Sequence, residues 1–518
     1  MMCSHSHSGA AMSSNDHCVV NLMYRNNGKG KGKPVQTSAT NSPLLIEIVE
    51  DTSKDHRKKI IQMSEKTRFL AFLLLSIIVI CGIFSMLKSK DVVQEQHNLD
   101  NIILFDPDSS SSEADLNDSN ESTDFYTVIF DGGSTGSRVH IFHFRKNSHG
   151  LLPYLVKETY NFTRLGLSAY AQNPVKGAVS LQGLLSQALS TIPEQLWGKT
   201  PVALKATAGL RLLPQQEAGN LLSEVYRLFL NSPLFVEPFD QSVTILDGAY
   251  EGIYLWQAIN FLKGTLYSQS DGTSGVIDLG GGSVQITYSP QELKSVIDKV
   301  DDRDIREINI FGKSYFLLVH SYLGNGLLVA LQGILQIEGA IHSKSANKDK
   351  NQGFYKSICL PHAFSGKLKF GDKDTIVMGP PSSSENTLYE QYEQCTYYAN
   401  KFLDSKSIQP LPEATRSSSF VGAGYFISRG TKHKLVDESI GKISITVGEI
   451  REHAKQACNN MSFSNPFECI ELAYISSLLS YGFRLNDNAQ ILIQDKINNV
   501  ETSWALGAAF HILQNHWK

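Results

Sequence analysis

At 518 residues, with a formal net charge of −4 and 42% apolar residues, the chain has room for about two to four domains and carries no basic excess. This excludes a nucleic-acid binder driven by bulk charge. Any affinity for an anion has to be built locally.

Residues 1–68 are rich in Ser, Asn, His and Gly and lack apolar periodicity, which predicts a disordered tail; the HSHSG run belongs to it. Residues 69–87, FLAFLLLSIIVICGIFSML, hold no charge and no Pro. At about 1.5 Å per residue they match the hydrocarbon thickness of a bilayer, which predicts a transmembrane helix. Lys54, Arg57, Lys58, Lys59, Lys66 and Arg68 precede it, whereas Lys88 and Lys90 are followed by Asp91 and Glu95. That asymmetry keeps the tail cytosolic and sends the C-terminal bulk across the membrane, a single-pass type II arrangement. The shortness of the span favours an early secretory or Golgi membrane.

Residues 88–124 are acidic and Ser/Asn-rich, as in a lumenal stalk. A lumenal setting fits the Asn-x-Ser/Thr triplets at Asn117, Asn120, Asn161 and Asn460. It also fits Cys359, Cys395, Cys458 and Cys469, the only cysteines beyond the span. Their even number suits two disulfides, for which three pairings exist; 359–395 with 458–469 is the simplest.

From Tyr126 strands alternate with helices. YTVIF and RVHIFHF flank a glycine loop as in a hairpin. VSLQGLLSQALSTI has helical spacing and stops before Pro193, and PVALKATAG is a strand. Pro214 opens a helix at N1 that runs through LLSEVYRLFL. SVTILDG is a strand, followed by a helix from about Tyr250 to Lys263 with Ile253, Trp256 and Ile259 on one face and Gly264 at its end. This alternation predicts an α/β protein.

Two stretches share one plan: VIFDGGSTGSRVHIF at 128–142 and VIDLGGGSVQIT at 276–287. Each places an Asp at a strand end, then glycines, then a hydroxyl. Gly133, Gly136, Gly281 and Gly282 let the backbone approach a ligand, and Ser134, Thr135 and Ser283 add donors, the equipment of a phosphate cradle. Asp131 and Asp278 repel phosphate, so a divalent cation between them and the ligand is expected. No G-x-x-x-x-G-K-[ST] occurs, which rules out a P-loop. Two lobes, each contributing one loop, fit better.

TVIFDGGSTGSRVHIF, LKATAGLRLLP, ILDGAYEGIYLW, VIDLGGGSVQIT and NNVETSWALGAAF together resemble, in order, the conserved regions of the apyrase (nucleoside triphosphate diphosphohydrolase) family. CIELAYISSLLSYGF with ETSWALGAAFHIL is most similar to its endoplasmic reticulum and Golgi nucleoside-diphosphatase branch, ectonucleoside triphosphate diphosphohydrolases five and six. The resemblance implies two RNase H-like lobes of the actin, hexokinase and Hsp70 superfold with the active site between them. Lobe I would comprise 125–247 with about 491–518, and lobe II 248–490. It implies Glu251 as catalytic base, Ser283 and Gln285 as the residues that hold the attacking water, and Thr207 near the terminal phosphate. Asp131 and Asp278 would bind Ca²⁺ or Mg²⁺ largely through water, while Arg138 and Arg211 are candidate phosphate partners. For the base, Tyr425 or Phe426 with Phe483 are candidate walls, although Gly424 stands where the family usually has Ser. Gly132 likewise replaces the family's usual Ala.

The expected activity is hydrolysis of nucleoside diphosphates, UDP and GDP, to monophosphate and phosphate in the secretory lumen, with no nucleic acid and no obligate protein partner. A broad apyrase acting on tri- and diphosphates at the cell surface is the alternative. A sugar-kinase-like phosphotransferase or an inactive nucleotide binder of the same fold fits less well, since Glu251 with Gln285 suits water as nucleophile.

Overall fold

The first glycine loop joins two strands, as expected: β1 (Asp124–Gly132) and β2 (Ser137–Arg145) pair antiparallel, with Asp131 opposite Arg138. The computed structural model describes residues 124–146, 153–266, 272–290, 300–343, 354–370, 373–381, 388–436 and 441–516. The predicted tail, span and nearly all of the stalk, with Asn117 and Asn120, lie outside these. Among the described residues no helix is long and apolar enough to cross a membrane.

β3 (Tyr154–Thr163), β4 (Val202–Ala206) and β5 (Val243–Ile245) complete a five-stranded sheet of order β3-β2-β1-β4-β5, in which β4 runs parallel to β1. One face is covered by α1 (Pro174–Ser180), α2 (Gln182–Thr191) and α3 (Gln215–Leu230), whose Leu184, Leu221, Val225 and Phe229 bury against Val128, Phe130 and Leu204. Two expectations shift here. The helix foreseen over 179–192 is broken at Leu181, and Pro214 is the N-cap of α3, one residue before the predicted N1 place.

The second glycine loop joins β6 (Gly275–Leu279) to β7 (Ser283–Tyr288), again antiparallel, with Asp278 opposite Gln285. They lie in a seven-stranded mixed sheet of order β14-β15-β13-β6-β7-β9-β8. Its other strands are β8 (Ile305–Ile310), β9 (Lys313–Leu323), β13 (Phe420–Gly424), β14 (Lys442–Thr446) and β15 (Gln490–Gln494). β10 (Phe354–Lys356), β11 (Ser365–Phe370) and β12 (Lys373–Met378) form a small separate sheet.

What positions the loops is the layer between the large sheets. α4 (Gly248–Leu262) packs on β6, β7 and β9; α10 (Ala505–His516) packs on β1 and β2; and the two helices pack on each other. A Cβ on Gly507 would fall 2.6 Å from Tyr254 Cα, so the crossing requires glycine. α4 is buried all round rather than on one face. Trp256 is fully enclosed, and burial of such a side chain contributes on the order of 2–3 kcal/mol.

The remaining helices, α5 (Leu327–Ser343), α6 (Leu388–Ser405), α7 (Tyr425–Lys432), α8 (Val447–Asn459) and α9 (Glu468–Ser477), share the core of the larger sheet. Cys359–Cys395 and Cys458–Cys469 are disulfides, the simplest of the three pairings. The second ties α8 to α9.

Candidate active site

Both glycine loops open onto one cleft of about 460 Å³, a volume suited to a small-molecule ligand. Ser134 and Thr135 of the first loop meet Gly281 of the second so closely that a Cβ on Gly281 would sit 2.6 Å from Ser134 Oγ. The glycines therefore do more than turn the chain; they let two hairpins from different sheets touch. Gly133, Arg138 and Thr207 also line the wall, as do Asp131, Asp278, Glu251 and Ser283. Gly136, Gly282 and Gln285 are not on the wall. Thr207 follows β4 as the N-cap of a helical turn, Ala208–Arg211, to which its side chain makes no capping bond.

Glu251 stands in the first turn of α4, whose N-cap Asp247 accepts the Ala249 N–H at 2.9 Å. Its carboxylate is buried and paired with the Arg211 guanidinium, which also reaches within 3.4 Å of Ser283 Oγ. Gln285 lies on the same face of β7 as Ser283. Its Nε2 donates to Ser283 Oγ at 2.8 Å and to Ser321 Oγ at 2.9 Å. Ser283 Oγ is thus an acceptor on its protein side, which leaves its own proton for a ligand. Gln285 Oε1 is buried without a hydrogen-bond partner.

Burial is the main force raising the Glu251 carboxyl above its ordinary range; Asp278 and Asp131 add to it and Arg211 opposes it. Asp278 is raised too, first by burial and then by the Asp131 charge, against Arg138 and Arg211. Asp131 Oδ2 accepts from Arg138 Nη1 at 2.8 Å, while Oδ1 is buried with no partner. No group of three or more His, Cys, Asp or Glu able to hold a metal occurs among the described residues. Two carboxylates, one with an orphan oxygen, do fit a hard cation that keeps water and takes other ligands from phosphate.

A pH dependence follows. The unfolded chain releases the Glu251 proton near 4.5, but the native chain holds it to higher pH. The native state therefore binds more protons above 4.5, and rising pH favours unfolding. With a chelator present, the melting temperature is expected to fall from about pH 5 to 8. Millimolar Mg²⁺ and the Glu251→Gln substitution should each flatten that slope. A slope unchanged by Glu251→Gln in a pH-scanned melt would refute the assignment.

Farther along the cleft the sequence expectations need correction. Tyr425 does line it, but Phe426 and Phe483 are core residues, and Phe483 packs against Tyr322. Gly424 has φ +67°, and a Cβ there would lie 2.5 Å from Leu279 O and 2.8 Å from Asp278 Oδ1. Glycine at this position keeps that corner clear for Asp278. Residues missed from the sequence are Ser321, which reaches Gln285 through the β7–β9 pairing, and Arg429, His140, Tyr160 and Glu501 to Trp504 on the wall. Strand alternation from Arg138 points to His140; nothing local marks the others.

Residues 117–517 match the model of the GDA1/CD39 (nucleoside phosphatase) family. Ectonucleoside triphosphate diphosphohydrolase 5 of Gallus gallus is 39% identical over 394 residues, covering 76% of this chain and 88% of that protein. Nucleoside diphosphate phosphatase ENTPD5 of Homo sapiens is 36% identical over 75% of this chain and 88% of that one. Ectonucleoside triphosphate diphosphohydrolase 6 of Mus musculus is 36% identical, with 76% and 82% covered. A crystal structure titled as nucleoside triphosphate hydrolases from Neospora caninum shares the fold, with a TM-score of 0.53 at 16% identity over 77% of this chain and 94% of that one. Five motifs in order, two facing glycine hairpins and a match over most of the chain converge: it belongs to the GDA1/CD39 (nucleoside phosphatase) family of hydrolases.

Proposed function

We propose that the chain removes the terminal phosphate of nucleoside 5′-diphosphates, UDP and GDP foremost, by direct attack of water in the cleft between its two lobes. The carrying observation is the placement of buried Glu251 beside Ser283 and Gln285, between two Asp-bearing glycine hairpins. The name of the human relative, a nucleoside diphosphate phosphatase, supports the diphosphate as substrate.

The terminal phosphate enters between Gly133–Thr135 and Gly281–Ser283, with Thr207 and Arg138 at its sides. Its charge competes with Glu251 for Arg211, and a carboxylate relieved of that partner is the stronger base. Ser283 and Gln285 Oε1 hold the water in line, and Glu251 takes its proton as the new P–O bond forms. The bridging P–O bond breaks, and its oxygen stays with the nucleoside monophosphate. Asp131 and Asp278 would hold Ca²⁺ or Mg²⁺ largely through water, which supplies charge neutralisation at the phosphates when bound.

Two disulfides and exposed sequon residues Asn161 and Asn460 support an oxidising, secretory setting for the domain. The apolar stretch 69–87 would anchor it in a Golgi or endoplasmic reticulum membrane as a type II protein.

Phosphate release from UDP, GDP, ADP and ATP by the purified full chain, with Ca²⁺ or Mg²⁺, tests the proposal. Diphosphates should be turned over faster than ATP. Comparable rates on ATP would favour the broad apyrase instead, and no release from any diphosphate would refute both.

A further inference from the structure

Arg429 is a cleft residue with no part in the chemistry above, yet it is held with unusual care. It projects from α7, whose N-cap Gly424 abuts Asp278. Its guanidinium lies 4.8 Å over the Tyr425 ring, and Nη2 forms an ion pair with Glu471 Oε1 at 2.9 Å. Glu471, buried on α9, is held in turn by His433 Nε2 at 2.7 Å and Lys432 Nζ at 3.2 Å. Glu471 has its carboxyl held below the usual range by His433, Arg429 and Lys432 against the opposing effect of burial. One face of the guanidinium is therefore covered and one nitrogen committed. Its side chain is 18% exposed and on the cleft wall, and its Nε–H is buried with no partner among the described residues.

A guanidinium has donors only, so what it meets must be an acceptor. The phosphate end is already supplied at Asp278 and the loops. Arg429 lies five residues past Gly424, about 7.5 Å along the helix, a span that carries a nucleotide from its phosphates to its base. We propose that Arg429 reads the base, donating to the carbonyl that uracil carries at position 4 and guanine or hypoxanthine at position 6. Cytosine and adenine present an amino group there, a donor facing a donor. Tyr425 then serves as the guanidinium's support rather than as the stacking wall for the base. The inference rests on the diphosphatase proposal only for the class of ligand.

The test compares UDP, GDP and IDP with CDP, ADP and base-less methyl diphosphate, using the full chain and Arg429→Met. The substitution keeps the hydrocarbon stem, and Glu471 retains Lys432 and His433, so the fold is not at stake. Wild type should prefer the oxo bases. Arg429→Met should lower kcat/KM on them by about 10- to 100-fold, the range for a hydrogen bond to a charged donor. CDP, ADP and methyl diphosphate should change by less than about threefold, and Arg429→Lys should recover part of the loss. Equal loss on all substrates, or a GDP-to-ADP ratio unchanged in Arg429→Met, would overturn the assignment. Calorimetric binding of GDP and ADP to the same variants makes the comparison without turnover. A GDP preference present in wild type and lost in Arg429→Met supports base reading even if no diphosphate is hydrolysed, an outcome that counts only against the hydrolase proposal.

Discussion

Replacing Glu251 by Gln is expected to cut kcat by about 10²- to 10⁴-fold, the usual contribution of a positioned general base, with nucleotide affinity little changed. The amide keeps the shape of the side chain and one acceptor oxygen for Arg211 but cannot take a proton from water. Burial at the start of α4 is what makes the native carboxylate worth removing, because it raises its affinity for that proton. Single-turnover phosphate release alongside nucleotide binding separates the two effects. A variant that keeps wild-type turnover would sink the base assignment, and one that loses binding to the same extent would mean that Glu251 holds the ligand rather than the water.

Asp278→Asn is expected to move two measurements in opposite directions. The substitution removes one of two mutually repelling buried carboxylates, so the protein in chelator should become more stable above the ordinary carboxylate range. It also removes a group expected to reach the cation through water. The Mg²⁺ or Ca²⁺ concentration for half-maximal activity should therefore rise by about 10- to 100-fold. A midpoint that stays within about twofold of wild type would leave Asp278 without a role at the metal. Stability that falls in chelator would contradict the electrostatic account of the site.

The parts of this molecule that could be read from sequence are those whose cause is local. An Asp closing an apolar strand, glycines after it and a hydroxyl beyond them describe a hairpin loop by themselves, and both loops lie where that pattern places them. Glu251 is legible as the base only through the family resemblance, since local signals mark no more than its place at the start of a helix. Other features depend on what folds against what. Ser321 meets Gln285 only through the pairing of β7 with β9, and Arg429 meets Glu471 only because the fold brings the α9 side chain within reach of α7. Phe483 shows the converse error: an aromatic in a family motif looks like a ligand wall until the tertiary structure turns it into the core beside Tyr322. The break at Leu181 escaped for a related reason, since apolar spacing continues across it and marks no stop.

Glu158 illustrates how far apart the contributors to one cleft lie. It sits behind the wall, receiving His140 on one oxygen at 2.6 Å and the backbone N–H of Glu501 on the other at 2.7 Å. The second bond spans 343 residues of chain. During synthesis at about 5–20 residues per second, Glu158 on β3 waits tens of seconds for that partner. Until then the Glu158 carboxylate lacks one of the two bonds that let it be buried, and the cleft lacks the wall from Glu501 to Trp504. A chain that stops before Glu501 therefore lacks both a bond to the buried Glu158 carboxylate and part of the cleft wall.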